Sequence, residues 1–235
     1  MNALLIVNVG HAPASQLQRF GDFEQWAKTA IGPLEIPIQF HDGVAHPIPD
    51  QPFAGVIIMG SLSMVTEQAP WMQRLSQQIV ELHDKQIPLL GICFGHQLIA
   101  CALGGRADFN PQGLEIGTVD IQRRPESNDD PLFSTLPTRF KAQAVHFQSV
   151  LALPDGATCL ASSEMDDHHA FRVGNTTWGV QFHPEFTTDI ILDSLQNQKQ
   201  HVAEAYQNLV AQVCGTPNAQ QVLIHFAQRC VATHN

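Results

Sequence analysis

Charge is scarce in this chain. Only 14% of its 235 residues are Asp, Glu, Lys or Arg, against about 25% in an average soluble domain. The deficit has gone to neutral polar side chains, 24 of them glutamine. What charge remains leans acidic: 22 carboxylates against 12 Lys and Arg give a formal −10, with no basic cluster to offset it. Sequence-independent nucleic-acid binding rests on Lys and Arg neutralising phosphates, so no nucleic-acid partner is expected. Long apolar runs are missing as well. None approaches the roughly 18 residues needed to span a bilayer, so no membrane association is expected. The opening MNALLIVNVG lacks the basic region and cleavage site of a secretory leader. The five cysteines (93, 101, 159, 214 and 230) are an odd, widely spaced set without a C-x-x-C pair. That pattern fits neither a disulfide framework nor a zinc site. We expect a cytoplasmic protein with reduced thiols, whose 44% apolar content can support a core.

No repeat, low-complexity segment or linker interrupts the sequence. Apolar runs at residues 3–9, 54–59 and 88–92 read as buried strands, and residues 34–40 alternate as a strand. Pro37 within that last run cannot donate to a ladder, which argues for a sheet edge. Helical spacing recurs over residues 15–31, 71–84 and 94–103. This alternation predicts an α/β fold: an open, mostly parallel sheet with helices on both faces. Strands then follow at 115–122, 139–145, 158–162 and 170–181, an antiparallel insertion. Helices at 188–213 and 219–231 close the chain, separated by Gly215-Thr216-Pro217, a stop and restart signal.

The most informative stretch is Pro88-Leu-Leu-Gly-Ile-Cys93-Phe-Gly-His-Gln97. A buried strand runs into Gly91-x-Cys93-x-Gly95 and leaves as a helix, the arrangement of a nucleophile elbow. A helix N-terminus favours a thiolate, and a nearby imidazolium would favour it further. The pattern alone also fits a buried structural thiol or an α/β-hydrolase relative. Trp178-Gly-Val-Gln-Phe-His183-Pro-Glu185 supplies the partner. A strand ends at His183, and positions i and i+2 of extended backbone share a side, so the Glu185 carboxylate can orient the imidazole. Cys, His and Glu then form a nucleophile, a base and an orienter. Their chain order differs from the Ser, Asp, His order of α/β-hydrolases.

The segments Gly91-Ile-Cys93-Phe-Gly95-His-Gln97 and Gly179-Val-Gln-Phe-His183-Pro-Glu185 resemble the class I, or triad, glutamine amidotransferase family. Gly113-Leu-Glu115-Ile-Gly117 is similar to that family's Arg-Glu-x-Gly segment, with Leu114 where Arg is common. The resemblance spans roughly residues 3–195, and within the family it points to stand-alone members similar to the glutaminase domain of GMP synthase. It implies a flavodoxin-like sheet and a domain over 1–195. The helical extension over 196–235 goes beyond the family domain. Its stripe Val222, Leu223, Phe226, Ala227 and Cys230 on a short helix needs cover. We expect it to pack on the same domain, the alternative being a docking surface for a partner or second copy.

The resemblance also implies that Cys93 attacks the γ-amide of L-glutamine or another γ-glutamyl compound, releasing ammonia and leaving a thioester for water to cleave. Phe94 and Ser61 would supply oxyanion N–H donors, with Gly60-Ser61-Leu62 standing where the family has a Gly-Gly-Pro loop. Gly60, Gln97, Phe147 and Gln148 would bind substrate. No cofactor or metal is implied. The ammonia acceptor would lie outside the chain, and the expected partners are a separate synthetase subunit or a second copy of this chain. Two rival readings are a γ-glutamyl peptide or amide hydrolase and a catalytically silent regulatory module. His168-His169 and the His41/His46 pair lack metal-ligand spacing and read as solvated loop residues, and Arg123-Arg124 reads as a solvated doublet.

Overall fold

The computed structural model describes residues 2–232. Strand β1 (Ala3–Asn8) is apolar on both faces because layers cover both, and it is buried almost throughout. Helical periodicity over 15–31 predicts one helix, but the chain forms two, α1 (Ala14–Phe20) and α2 (Phe23–Ile31). Gly21 sits at φ +82°, where only glycine is unstrained, and Asp22 starts the second helix. The Asp22 carboxylate accepts from Phe23 N at 3.0 Å and Ala12 N at 2.9 Å, while Gln25 Oε1 accepts from Asp22 N. Asp22→Ala should cost about 1–2 kcal/mol, and a chain of this size loses about 2–4 °C of melting temperature per kcal/mol. Calorimetry checks this.

Next come β2 (Ile38–Asp42), β3 (Phe53–Ile58), α3 (Pro70–Asp84), β4 (Leu89–Ile92) and α4 (Phe94–Ala102). The strand read at 34–40 is displaced to β2, because Pro37 lies just outside it with its carbonyl taken by Leu4 N. The second half holds β5 (Arg106–Phe109), β6 (Glu115–Arg123), β7 (Arg139–His146), β8 (Gln148–Ala152), β9 (Ala157–Ser162), β10 (Ala170–Val173) and β11 (Thr177–Val180). What reads as one strand at 170–181 is the β10–β11 hairpin, turned at Gly174 with φ +59°. Strands β5 and β8 pair as a small separate sheet. The helix read at 188–213 is α5 (Thr188–Asn197) and α6 (Tyr206–Gln212), divided by a turn at Lys199–His201, and α7 (Pro217–Ala232) ends the described chain.

The main sheet has the order β2-β1-β3-β4-β11-β10-β9-β6-β7. The first five strands are parallel neighbours, in the flavodoxin-like order that reverses between β1 and β3. Only β10 and β6 run against the rest. Alternate residues feed opposite faces. Leu4, Ile6, Ile57 and Leu90 pack with Trp26 of α2 and Phe226 of α7. Leu5, Val7, Val56 and Ile58 pack with Leu75 and Ile79 of α3 and Leu98 of α4. Helix α7 lies against α2, β3 and β7, with Val222, Leu223, Phe226 and Cys230 fully buried. No helix of the described residues is long and apolar enough to cross a membrane.

Candidate active site

Open α/β sheets bind ligands beyond the carboxyl ends of their parallel strands, and β3, β4 and β11 converge there. Cys93 follows β4 directly, at φ +50° and ψ −102°, a conformation that non-glycine residues rarely adopt. Its neighbours explain how the turn is held. A Cβ at Gly95 would lie 2.2 Å from Ile58 O, and one at Gly91 would lie 2.4 Å from the Gly95 carbonyl. Only hydrogen fits at either position, so α4 starts hard against β3 and β4.

His183 follows β11, and its amide donates to Gln143 O of β7 at 2.8 Å. Its Nδ1 lies 2.8 Å from Glu185 Oε1, with both side chains buried. The ring stacks on Phe186 at a centroid distance of 3.9 Å. Burial works against the charged imidazole, but the Glu185 carboxylate and the neighbouring Cys93 outweigh it and raise its pKa to about 10. Apart from the Cys93 side chain, which pairs with the ring, His183 Nε2 meets no hydrogen-bond partner among the described residues. A Cβ at Gly60 would sit 3.1 Å from His183 Cε1 and 3.7 Å from Cys93 Cβ. Position 60 therefore borders both groups, and a side chain there would crowd the imidazole.

A cavity of about 330 Å³ opens over these groups. Cys93, Phe94, Gln97, Ser61, Phe147, Gln148 and His183 all line it, and no Asp, Glu, Lys or Arg among the described residues does. Ser61 Oγ donates to Val9 O at 2.8 Å, anchoring the loop to the end of β1. That leaves its main-chain N–H as the donor it can offer a ligand. Phe94 begins α4, so its N–H has no intrahelical partner. Gln97 spends its amide nitrogen on Gln148 O at 2.7 Å and Gln181 Oε1 at 3.0 Å, which leaves Oε1 for a ligand. The Gln148 side chain donates to Thr66 Oγ1.

The class-I glutamine amidotransferase family model matches residues 28–197, which include all three of Cys93, His183 and Glu185. The chain belongs to that family. It is 32% identical over 143 residues to gamma-glutamyl peptidase 4 of Arabidopsis thaliana, covering 60% of this chain and 57% of the relative. It is 34% identical over 159 residues to the glutamine-hydrolyzing GMP synthase of Thermosipho africanus, covering 67% of this chain and 29% of the relative. The matched region thus spans little more than half of the first relative and under a third of the second. A glutamine amidotransferase of Thermotoga maritima superposes with TM-score 0.69 at 19% identity, covering 99% of this chain and 97% of that one. At that identity the likeness is one of fold.

Several buried polar groups, of which His146 alone lines the cavity, escape a reading of the sequence alone. His169, expected to be solvated, is fully buried and donates through Nε2 to Glu115 Oε2 at 2.9 Å. His146 Nε2 donates to the same oxygen at 2.8 Å, and Ser163 Oγ donates to Glu115 Oε1 at 2.6 Å. Burial opposes the charge on Glu115, but the two imidazoles hold its carboxyl well below the usual carboxylate range. These Glu115, His146 and His169 atoms lie within 4.8 Å of one another, the one such metal-capable group among the described residues. As arranged, they satisfy each other by hydrogen bonds. His96 of α4 is fully buried, and burial, reinforced by His169, drives its pKa well down. Arg123 is not solvated either; it bonds Ser127 and the Leu136 carbonyl. Gln143 links the far end of the chain to the site: its Nε2 donates to Cys214 O at 2.8 Å and its Oε1 accepts from Thr118 Oγ1.

Proposed function

We propose that this site hydrolyses the γ-amide of glutamine through a thioester on Cys93, giving glutamate and ammonia. The observation that carries the reading is the buried His183–Glu185 pair beside a cysteine held on a strained elbow. With the proton already held on His183, Cys93 Sγ attacks the γ-carbonyl carbon. The oxyanion takes hydrogen bonds from the N–H groups of Phe94 and Ser61. His183 then protonates the departing nitrogen, and the C–N bond breaks. Water, deprotonated by His183, cleaves the thioester. Glu185 fixes the imidazole tautomer and stabilises its charged form. Gly60, Gln97, Phe147 and Gln148 hold the substrate.

We take residues 1–195 as the amidotransferase unit and 196–235 as an extension packed on it. We also assign the protein to the cytoplasm, where its thiols stay reduced. Ammonia would pass to an acceptor outside this chain, with a separate synthetase subunit or a second copy of the chain as partner. A second reading, hydrolysis of γ-glutamyl peptides or amides by the same thioester, is favoured by the 330 Å³ cavity, which no Asp, Glu, Lys or Arg of the described residues lines. A larger neutral leaving group fits such a space.

Incubation with a γ-glutamyl chloromethyl ketone, followed by peptide mass mapping, should modify Cys93 alone. Absence of any adduct would favour the silent-module reading. The relay has its own signature. His183→Ala should lower turnover more than Glu185→Gln, and the double variant should be little worse than His183→Ala, because members of such a unit are non-additive. Steady-state rates for the three variants decide it, and fully additive losses would contradict a shared role.

A further inference from the structure

The chain must turn a corner at Phe147. Strand β7 belongs to the large sheet and ends at His146, while β8 belongs to the small sheet and starts at Gln148. No continuous ladder crosses this point, yet Phe147 and Gln148 form one wall of the cavity. The main chain is tied there by Asn110 N, which donates to the Phe147 carbonyl at 2.8 Å, and side chains add the rest. The Gln148 carbonyl accepts from His146 Nδ1 at 3.0 Å and from Gln97 Nε2 at 2.7 Å, which ties it to the nucleophile helix. His146 in turn is gripped from behind by Glu115 Oε2. Nε2 of His146 thus serves the carboxylate, while Nδ1 faces both the Gln148 carbonyl and, at 3.4 Å, the Ser149 hydroxyl. The other donors to Glu115, His169 and Ser163, come from outside the corner.

From this we infer that Glu115 is a positioning residue: through His146 and the Gln148 carbonyl, it sets the substrate-binding corner against the helix that carries Cys93. The inference rests on the proposed amide hydrolysis. It separates two properties that a merely structural carboxylate would move together. The elbow is built by contacts of Gly91 and Gly95 with Ile58 and the start of α4 that do not involve Glu115, so the reactivity of Cys93 toward a small neutral reagent should change little. Recognition of the γ-glutamyl part depends on it.

In Glu115→Gln, iodoacetamide should alkylate Cys93 within about twofold of the wild-type rate. Labelling by γ-glutamyl chloromethyl ketone should fall about tenfold, the scale expected when a misplaced wall spoils alignment. In turnover, KM should carry most of the loss. Equal rates for both reagents, or a parallel fall in both, would overturn the proposal. If Glu115→Gln fails to fold, Ser163→Ala, which removes one of the carboxylate's three donors, is put through the same comparison. A smaller drop confined to the ketone supports the proposal, and no selective drop overturns it. Wild-type protein that the ketone does not label would instead overturn the functional reading, and this proposal with it.

Discussion

Cys93→Ala is expected to lose essentially all glutamine hydrolysis, a fall of at least about 10⁴-fold, since removing a nucleophile from such a unit can cost up to about 10⁶-fold. No neighbouring group can replace it. Of the other cysteines, Cys230 is packed beneath the sheet on α7, where burial pushes its thiol up to about 12. Burial also raises the thiols of Cys101 and Cys159. Thiolate is the reactive form, so these three should alkylate slowly at neutral pH and give little background in the variant. The fold should survive, because the sulfur's approach to Val145 O, at 3.8 Å, is too long to brace the strand. Glutamate release measured beside far-UV circular dichroism would separate loss of chemistry from loss of structure. A Cys93→Ala protein that keeps turning over would remove the cysteine mechanism altogether.

Gly95→Ala should damage the protein differently, through its architecture. The added methyl would stand 2.2 Å from Ile58 O and 2.9 Å from Ile58 C, main-chain atoms of β3 that cannot swing aside. Gly91→Ala meets the main chain of Gly95 and His96 at 2.4–2.6 Å. Overpacking a core costs about 1–3 kcal/mol, and more where relief requires backbone movement. We expect each substitution to cost about 3 kcal/mol or more, a drop of about 6–12 °C in melting temperature at 2–4 °C per kcal/mol. Activity should fall with it, since α4 must tilt to make room. Thermal unfolding of the two variants beside wild type is the check. Unchanged melting with unchanged activity would show that the elbow tolerates a side chain where the geometry leaves no space.

The elbow was readable from the sequence because its cause is local. Glycines on either side of Cys93, a strand before it and a helix after it lie within ten residues. His183 and Glu185 were readable for the same reason, being two apart on extended chain. The parallel strands announced themselves through continuous apolar runs, a consequence of cover on both faces. What failed to show was decided by distant or small features. One capped aspartate after a glycine splits α1 from α2, although the apolar spacing carries straight across. A single turn at Gly174 converts one long β pattern into a hairpin. Strands β5 and β8 are four and five residues long, and each takes its meaning only from the other. Glu115, His146 and His169 are brought together across separations of 31 and 54 positions from the carboxylate. Nothing in the spacing marks those two histidines off from the other ten in the chain.

Gln143 gives the C-terminal segment a stake in the site. Its carbonyl receives the His183 amide, and its side chain holds Cys214 just ahead of α7. Cys214 N closes the circle by donating to Thr118 Oγ1 at 3.2 Å. Peeling the tail away therefore strands a fully buried amide and loosens the strand that seats the imidazole. Local opening proceeds in cooperative units, and this arrangement puts the tail and His183 in the same one. Their amide protons should exchange with deuterium together, so that whatever grips or frees the tail also sets how long His183 stays in place.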